Sequence, residues 1–368
     1  LQQLFPSLHI ENCSNSDDSS VLKKALQQNS DTIDIGHAGT AMRFLTAFFA
    51  CQEGRSVKLT GSGRMKERPI ALLVDALNAM GASVSYLEKE GYPPLHIQGV
   101  KLGKNTVAIR GDVSSQYITA LLLIAPSLPK GLTINFTSEL TSVPYVNMTL
   151  QILEDIGVEV QRFEEGISVL PMSDVPQKTW VVESDWSSAS YYYSLAALNP
   201  GAEITLEAYK SKSLQGDAVL AKIYTQFNVE TTFRDNSIVL TNNKLLNSTS
   251  EVNLDLRHAP DIAQTIAVTC FGLGIHCHLS GLHTLKIKET DRLQALKTEL
   301  EKLGGKVTIT TASLTLEKRG EIRENITIET YDDHRMAMAF AILGLARAGL
   351  AIRNPACVSK SYPAFWRD

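Results

Sequence analysis

The chain has 368 residues, 44% hydrophobic and 20% charged, which is long enough for two full cores and too apolar for a disordered protein. Its net charge of −4 excludes a general nucleic-acid binder, whose phosphate contacts need a basic face, so any basic site must be local. Five cysteines, odd in number and without close-paired metal or redox spacing, point to a reducing compartment, and no apolar run reaches the length of a membrane span; a cytoplasmic protein is expected.

From the N-terminus onward one pattern returns, a loop of small and polar residues running straight into a helix of small apolar residues. It occurs at 36–43, 114–120, 187–191, 259–263 and 333–337, at intervals of about 75 residues, far longer than a solenoid repeat. Between these starts a second element recurs, a helix followed by a left-handed cap and two short strands. Its copies lie at 70–87, 148–163 and 293–311, capped by Gly81, Gly157 and Gly304, and at 218–233, where Asn228 takes the cap position and also tolerates that conformation. Each unit is therefore an α/β block of two helices and several strands. The small-residue helices at 189–195 and 336–345 are polar on almost no side, which predicts burial between layers of sheet. The Pro- and Asp-bearing stretch 171–177 ends one set of units, so two domains of similar build are expected, 1–182 and 183–368.

Alternating cations and carboxylates cluster at 285–293, where Lys286, Lys288, Glu289, Asp291 and Arg292 stand at the entrance of a helix carrying Leu293, Leu296, Leu300 and Leu303 and stopped by Gly304 and Gly305. A helix N-terminus with unpaired N–H groups and a positive dipole end suits an anionic ligand, and Lys288 and Arg292 add formal charge. A solvated charged turn is the ordinary alternative. Asp261 after Pro260 reads equally as a first-turn carboxylate, Asp185 as a helix-start charge, and Ser187 and Ser190 as caps or packing residues.

Together and in order, the segments Ala38-Gly39-Thr40-Ala41-Met42-Arg43, Arg64-Met65-Lys66-Glu67-Arg68-Pro69-Ile70, Ser114-Ser115-Gln116, Asp185-Trp186-Ser187-Ser188-Ala189-Ser190-Tyr191, Lys288-Glu289-Thr290-Asp291-Arg292 and Asp332-Asp333-His334-Arg335-Met336-Ala337-Met338 resemble the shikimate-pathway branch of the enolpyruvyl transferase family over nearly the whole chain. The resemblance implies two inside-out α/β barrel domains with the active site in the cleft between them. It implies transfer of the enolpyruvyl group of phosphoenolpyruvate to the 5-hydroxyl of shikimate 3-phosphate, through a tetrahedral intermediate that loses phosphate, by a monomer using no metal or organic cofactor and binding neither nucleic acid nor membrane. Such a site must hold two phosphates and two carboxylates, so several cations are expected. By resemblance Gly39, Arg64, Gln116, Arg292, Arg335 and Lys360 serve phosphoenolpyruvate, Gly39 lying where glyphosate competes in the family. Ser114, Ser115 and Ser142 serve the phosphate of shikimate 3-phosphate; Gln116 and Tyr145 lie near its ring, and Asp261 and Lys288 at its hydroxyls. Asp261, Glu289 and Lys288 are the implied catalytic groups, with both carboxylates in or near the proton-transfer roles. A carboxylate ringed by cations should have a depressed pKa, so an acid role for Glu289 needs burial or substrate charge in compensation. His334 is expected to be structural or supporting, and Cys270 part of the core.

Departures from the family pattern are His37 for Asn, Phe44 for Pro, Val143 for Lys and Thr284 for Asn or Arg. The family's Ser-Lys-Ser-x-Ser-x-Arg motif is not in the sequence. Residues 15–18 resemble a family segment lying roughly 25 residues downstream of that motif, and the repeat pattern asks for a further loop–helix start upstream. The motif is therefore expected just before Leu1, and the chain without it is expected to be inactive or nearly so. The sister enzyme acting on UDP-N-acetylglucosamine is the nearest alternative, but its loop cysteine has no counterpart in 61–70. A non-catalytic phosphosugar-binding relative is another, and the RNA-cyclase branch is disfavoured by the lack of a basic face.

Overall fold

A computed structural model describes residues 1–140, 143–173, 177–242, 250–317, 321–346 and 349–368. The chain divides into two compact units, Leu1–Val182 and Glu183–Asp368.

Each unit is assembled from one repeated block: strand, helix, strand, helix, hairpin. In the first unit, strands Thr32–Asp34, Ser56–Thr60, Ser83–Tyr86 and Leu95–Gln98 form a four-stranded sheet in the order first, second, fourth, third. The first two are parallel and the remaining pairings antiparallel, as expected when a helix crosses between the first pair and a short loop joins the last. Thr106–Ile109, Leu132–Phe136, Val160–Phe163 and Gly166–Val169 repeat the order. So do Glu251–Asp255, His276–Ser280, Val307–Ile309 and Leu314–Leu316 in the second unit. Around His334–Ala346 the block is reduced to Ile326–Ile328 and Leu350–Ile352, paired in parallel, and one more block breaks the rule instructively. Glu203–Glu207, Ser237–Asn242 and Val229–Arg234 make only three strands, because the strand before them, Lys178–Val181, pairs in parallel with Leu8–Glu11 in the first unit.

The sheets keep one face open to solvent, as the alternating burial of Ser56–Thr60 and His276–Ser280 shows, whereas the first helix of each block is buried nearly all round. In the second unit helices Trp186–Leu198, Ala263–Leu273 and His334–Ala346 pack against one another. Small residues let them approach, and their hydroxyls pair, Ser190 Oγ with Thr265 Oγ1 at 2.9 Å and Thr269 Oγ1 donating to Ser194 Oγ at 2.8 Å. Helices inside and sheets outside is the inside-out arrangement.

The second helix of each block ends as the sequence predicts: Gly81, Gly157 and Gly304 take φ of 100°, 99° and 97°, and Asn228 takes 63°. Two elements differ from expectation. The helix expected at 218–227 is broken into Gly216–Val219 (3-10), Leu220–Ile223 (α) and Tyr224–Phe227 (3-10), a segment whose Val, Ile, Tyr, Thr and Phe residues are weak helix formers. The helix Asp17–Gln27, outside the repeat reading, is started by Ser16, whose Oγ accepts from the Ser19 N–H at 3.3 Å. Among the described residues no helix is long and apolar enough to cross a membrane.

Candidate active site

In the second unit three helix starts deliver charge to one place. Asp261 lies in the Pro260–Ile262 turn that opens Ala263–Leu273, Arg292 begins Arg292–Lys302, and Arg335 sits in the first turn of His334–Ala346. Arg292 is the hub. Its side chain is 2% exposed and donates Nε to Asp333 Oδ2 at 2.7 Å, Nη1 to Asp261 Oδ1 at 2.9 Å and Nη2 to Glu289 Oε2 at 2.9 Å. Burial alone would lower this guanidinium, but Asp333, Glu289 and Asp261 hold it charged, and its planar fork suits three carboxylates at once.

Asp261 also receives Lys288 Nζ at 3.3 Å and Arg335 Nη2 at 3.3 Å, while Glu289 pairs with Lys360. Burial works to raise the Asp261 carboxyl, and Arg335, Lys288 and Arg292 overcome it and hold it far below the usual carboxylate range. Burial opposes Arg292 and Lys360 in the same way at Glu289, and the cations win there too. The ring of cations expected around Glu289 therefore consists, among the described ion pairs, of Arg292 and Lys360. Arg335 pairs with Asp261 instead. Four cations, Lys288, Arg292, Arg335 and Lys360, meet three carboxylates, Asp261, Glu289 and Asp333, so the cluster is nearly neutral before any ligand arrives. An entering anion must exchange with these carboxylates for their cations.

Asp291 caps the start of Arg292–Lys302, its Oδ1 accepting from the Gln294 N–H at 3.1 Å. His334 is buried beside Asp333 with no hydrogen-bond partner for Nδ1 among the described residues, and burial together with Arg335 pushes its pKa down to about 3, so it is neutral at pH 7.

In the first unit the candidates sit at two other helix starts. Gly39 begins Gly39–Ala50, and a Cβ there would lie 2.5 Å from Arg68 Nη1, so the missing side chain is what lets that guanidinium lie against the backbone. Gln116 Nε2 donates to Thr40 Oγ1 at 3.1 Å, linking this start to that of Ser115–Ile124, where Ser114 Oγ accepts from the Gln116 N–H at 3.4 Å. Arg64 Nη1 donates to Glu67 Oε2 at 2.9 Å at the surface, Tyr145 lies in Val143–Asp155, and Ser142 falls outside the described residues. Arg43 of the same signature stitches backbone, donating to the carbonyls of Gly39 at 3.0 Å and Pro69 at 3.2 Å. The structure thus gathers Asp261, Lys288, Glu289, Arg292, Arg335 and Lys360 within the second unit, and Gly39, Ser114, Ser115 and Gln116 within the first.

Three residues gain a role that the sequence alone does not assign. Asp333, visible in the sequence only as part of a motif, is fully buried and anchors Arg292, while its Oδ1 accepts from the Arg335 N–H at 2.9 Å. Ser187, expected as a cap or packing residue, points its hydroxyl to Asp217 and accepts from Arg335 Nη2 at 3.4 Å. Asp217 itself, after Gln215 and Gly216 beside a segment that reads as plain helix, carries no charge pattern that would single it out. Among the described residues no group of His, Cys, Asp and Glu side chains is arranged to hold a metal ion.

The profile of the family described as EPSP synthase (3-phosphoshikimate 1-carboxyvinyltransferase) matches residues 3–368. A 3-phosphoshikimate 1-carboxyvinyltransferase of Bacteroides fragilis is 43% identical over 363 residues, covering 97% of this chain and 87% of the relative. One of Aliivibrio salmonicida is 38% identical over 349 residues, covering 94% and 80%. Among solved structures, EPSP synthase of Acinetobacter baumannii superposes with a TM-score of 0.78 at 20% identity, covering 99% of this chain and 90% of that one. An enolpyruvyl transferase of Streptomyces tendae gives 0.70 at 12% identity, covering 99% and 89%.

Proposed function

The chain belongs to the EPSP synthase family, and from that premise we propose how its residues share the work of the family's reaction. The enzyme transfers the enolpyruvyl group of phosphoenolpyruvate to the 5-hydroxyl of shikimate 3-phosphate and releases phosphate, a step toward chorismate and the aromatic amino acids. The hydroxyl oxygen bonds to C2 of phosphoenolpyruvate while C3 gains a proton. The resulting tetrahedral intermediate then loses phosphate and gives up a C3 proton, restoring the double bond. One group must take the hydroxyl proton and another must serve C3.

Asp261 and Glu289 fill these two places, with Lys288 beside Asp261 to orient the hydroxyl. The observation that supports this reading is that Arg292 grips both carboxylates, at 2.9 Å each, leaving them side by side and ionised. A carboxylate so strongly held is a weak base and a poor carrier of a proton. Substrate corrects this, because its phosphates and carboxylates draw on Arg335, Lys360, Lys288 and Arg292 and so relax the field that depresses both groups. Arg64, Gly39, Gln116, Arg292, Arg335 and Lys360 serve phosphoenolpyruvate; Ser114, Ser115, Ser142 and Tyr145 serve shikimate 3-phosphate. The protein works as a cytoplasmic monomer. The sister reaction with UDP-N-acetylglucosamine is not favoured by the relatives.

The test is phosphate release from phosphoenolpyruvate by the product of the full reading frame, with either acceptor. Shikimate 3-phosphate alone should support turnover, and Asp261→Asn and Glu289→Gln should each lower kcat by roughly 10²–10⁴-fold, the range for a positioned acid or base. Full activity in either variant would remove that carboxylate from the mechanism.

A further inference from the structure

Asp217 is 4% exposed, yet it lies in the short Gly216–Val219 turn with no cation paired to it among the described residues. Its Oδ2 accepts the Ser187 hydroxyl proton, and its Oδ1 is buried with no hydrogen-bond partner among those residues. Ser187 Oγ in turn accepts from Arg335 Nη2 at 3.4 Å, and Arg335 Nη2 reaches Asp261 Oδ2 at 3.3 Å. A chain of contacts therefore runs from a buried carboxyl, through one hydroxyl, to a guanidinium of the anion site.

A buried polar oxygen left unpaired is costly, and a buried carboxylate without a cation more so, unless the group gains by taking a proton. The groups facing it come from three elements: Asp261 from the Pro260–Ile262 turn, Asp185 and Ser187 at the start of Trp186–Leu198, and Arg335 from His334–Ala346. Burial and the Asp261 charge raise the Asp217 carboxyl to about 7, against the lowering pull of Ser187 and Arg335. An anion drawn to Arg335 adds negative charge close by and weakens that pull.

We propose that Asp217 is a positioning residue for the anion held by Arg335: it fixes the Ser187 hydroxyl as an acceptor for the guanidinium, and it takes up a proton from solvent on Oδ1 when the anion binds. This rests on the assignment of Arg335 to phosphoenolpyruvate. With the proton in place Asp217 no longer repels the ligand, so anion affinity falls as pH rises through the range where Asp217 ionises, with Asp217 the cause.

Calorimetric titration of the full-reading-frame protein with phosphoenolpyruvate, in two buffers of different ionisation enthalpy at pH 7.5, counts the protons exchanged. The wild type should take up a substantial fraction of one proton more than Asp217→Asn, whose difference from wild type cancels the ligand's own titration. Ser187→Ala, which spares the carboxyl and cuts its link to Arg335, should weaken phosphoenolpyruvate roughly tenfold, as for a lost hydrogen bond to a charged group. Equal proton counts in wild type and Asp217→Asn, or unaltered affinity in Ser187→Ala, would overturn the proposal while leaving the Arg335 assignment standing. If Asp217→Asn does not fold, sulfate, which has no proton to exchange near pH 7, replaces phosphoenolpyruvate with the wild type alone, and binding without uptake is the overturning result. Failure of the wild type to bind either anion would overturn the Arg335 assignment, and this proposal with it.

Discussion

Both units place candidate residues at helix starts of the repeated block, yet with opposite chemistry. In the first unit the helix starts of Gly39–Ala50 and Ser115–Ile124 offer glycine, hydroxyls and a carboxamide, and Gln116 joins the two through Thr40. In the second unit the starts of Ala263–Leu273, Arg292–Lys302 and His334–Ala346 carry full charges that neutralise one another around Arg292, largely out of water. Neutral donors at a helix start can wait for a phosphate without cost to the fold, because the dipole and N–H groups are already there. Buried cations cannot wait unpaired, so the second unit supplies its own carboxylates.

The largest expected break in this comparison comes from Asp333→Ala. It leaves Arg292 short of its fully buried partner and should destabilise the protein by about 3–5 kcal/mol, the cost of an uncompensated buried charge, read from urea unfolding. A loss no greater than that of a surface substitution would mean that Asp261 and Glu289 alone compensate Arg292. Asp217→Asn sharpens the contrast within the second unit. Its folded pKa near 7 lies above the unfolded value near 3.9, so the folded state holds the extra proton between them and wild-type stability falls as pH rises through that window. The amide has no charge to bury, and its stability advantage should be larger at pH 8 than at pH 5 by about 3 kcal/mol, at 1.36 kcal/mol per pKa unit. Equal gains at both pH values would show that Asp217 does not ionise in the folded protein. The smallest effect belongs to the first unit, where Ser114→Ala should cost about 0.5–1 kcal/mol as a lost helix cap with a long hydrogen bond. A cost of several kcal/mol would mean that the hydroxyl start is as tightly integrated as the charged one.

The repeat was legible because its punctuation is chemical. A left-handed cap demands Gly or Asn, and Gly81, Gly157, Asn228 and Gly304 announce it; a helix packed on other helices demands small residues on every side, as in 336–345. The charge cluster was legible for the same reason, Lys288, Glu289 and Arg292 standing within five residues. What could not be read is which charges are partners, since Arg292 meets Asp261 and Asp333, 31 and 41 residues away, through three-dimensional packing alone. Asp291 reads in the sequence only as one charge of the cluster, because the same residue type stands in charged turns and caps helices. Asp217 was silent because its significance lies in being buried without a cation, and burial of a lone carboxyl in a broken helix leaves no periodic trace.

The parallel pairing of Leu8–Glu11 with Lys178–Val181 has a consequence for biosynthesis. These strands are separated by nearly the whole of the first unit, so an early strand stays without its ladder until a much later one leaves the ribosome. At roughly 5–20 residues per second that interval is on the order of ten to thirty seconds, during which the intervening blocks can form and the edge of Leu8–Glu11 stays open to wrong partners. Translation speed and chaperone supply then act on this chain during that interval, in addition to the final stability of the fold.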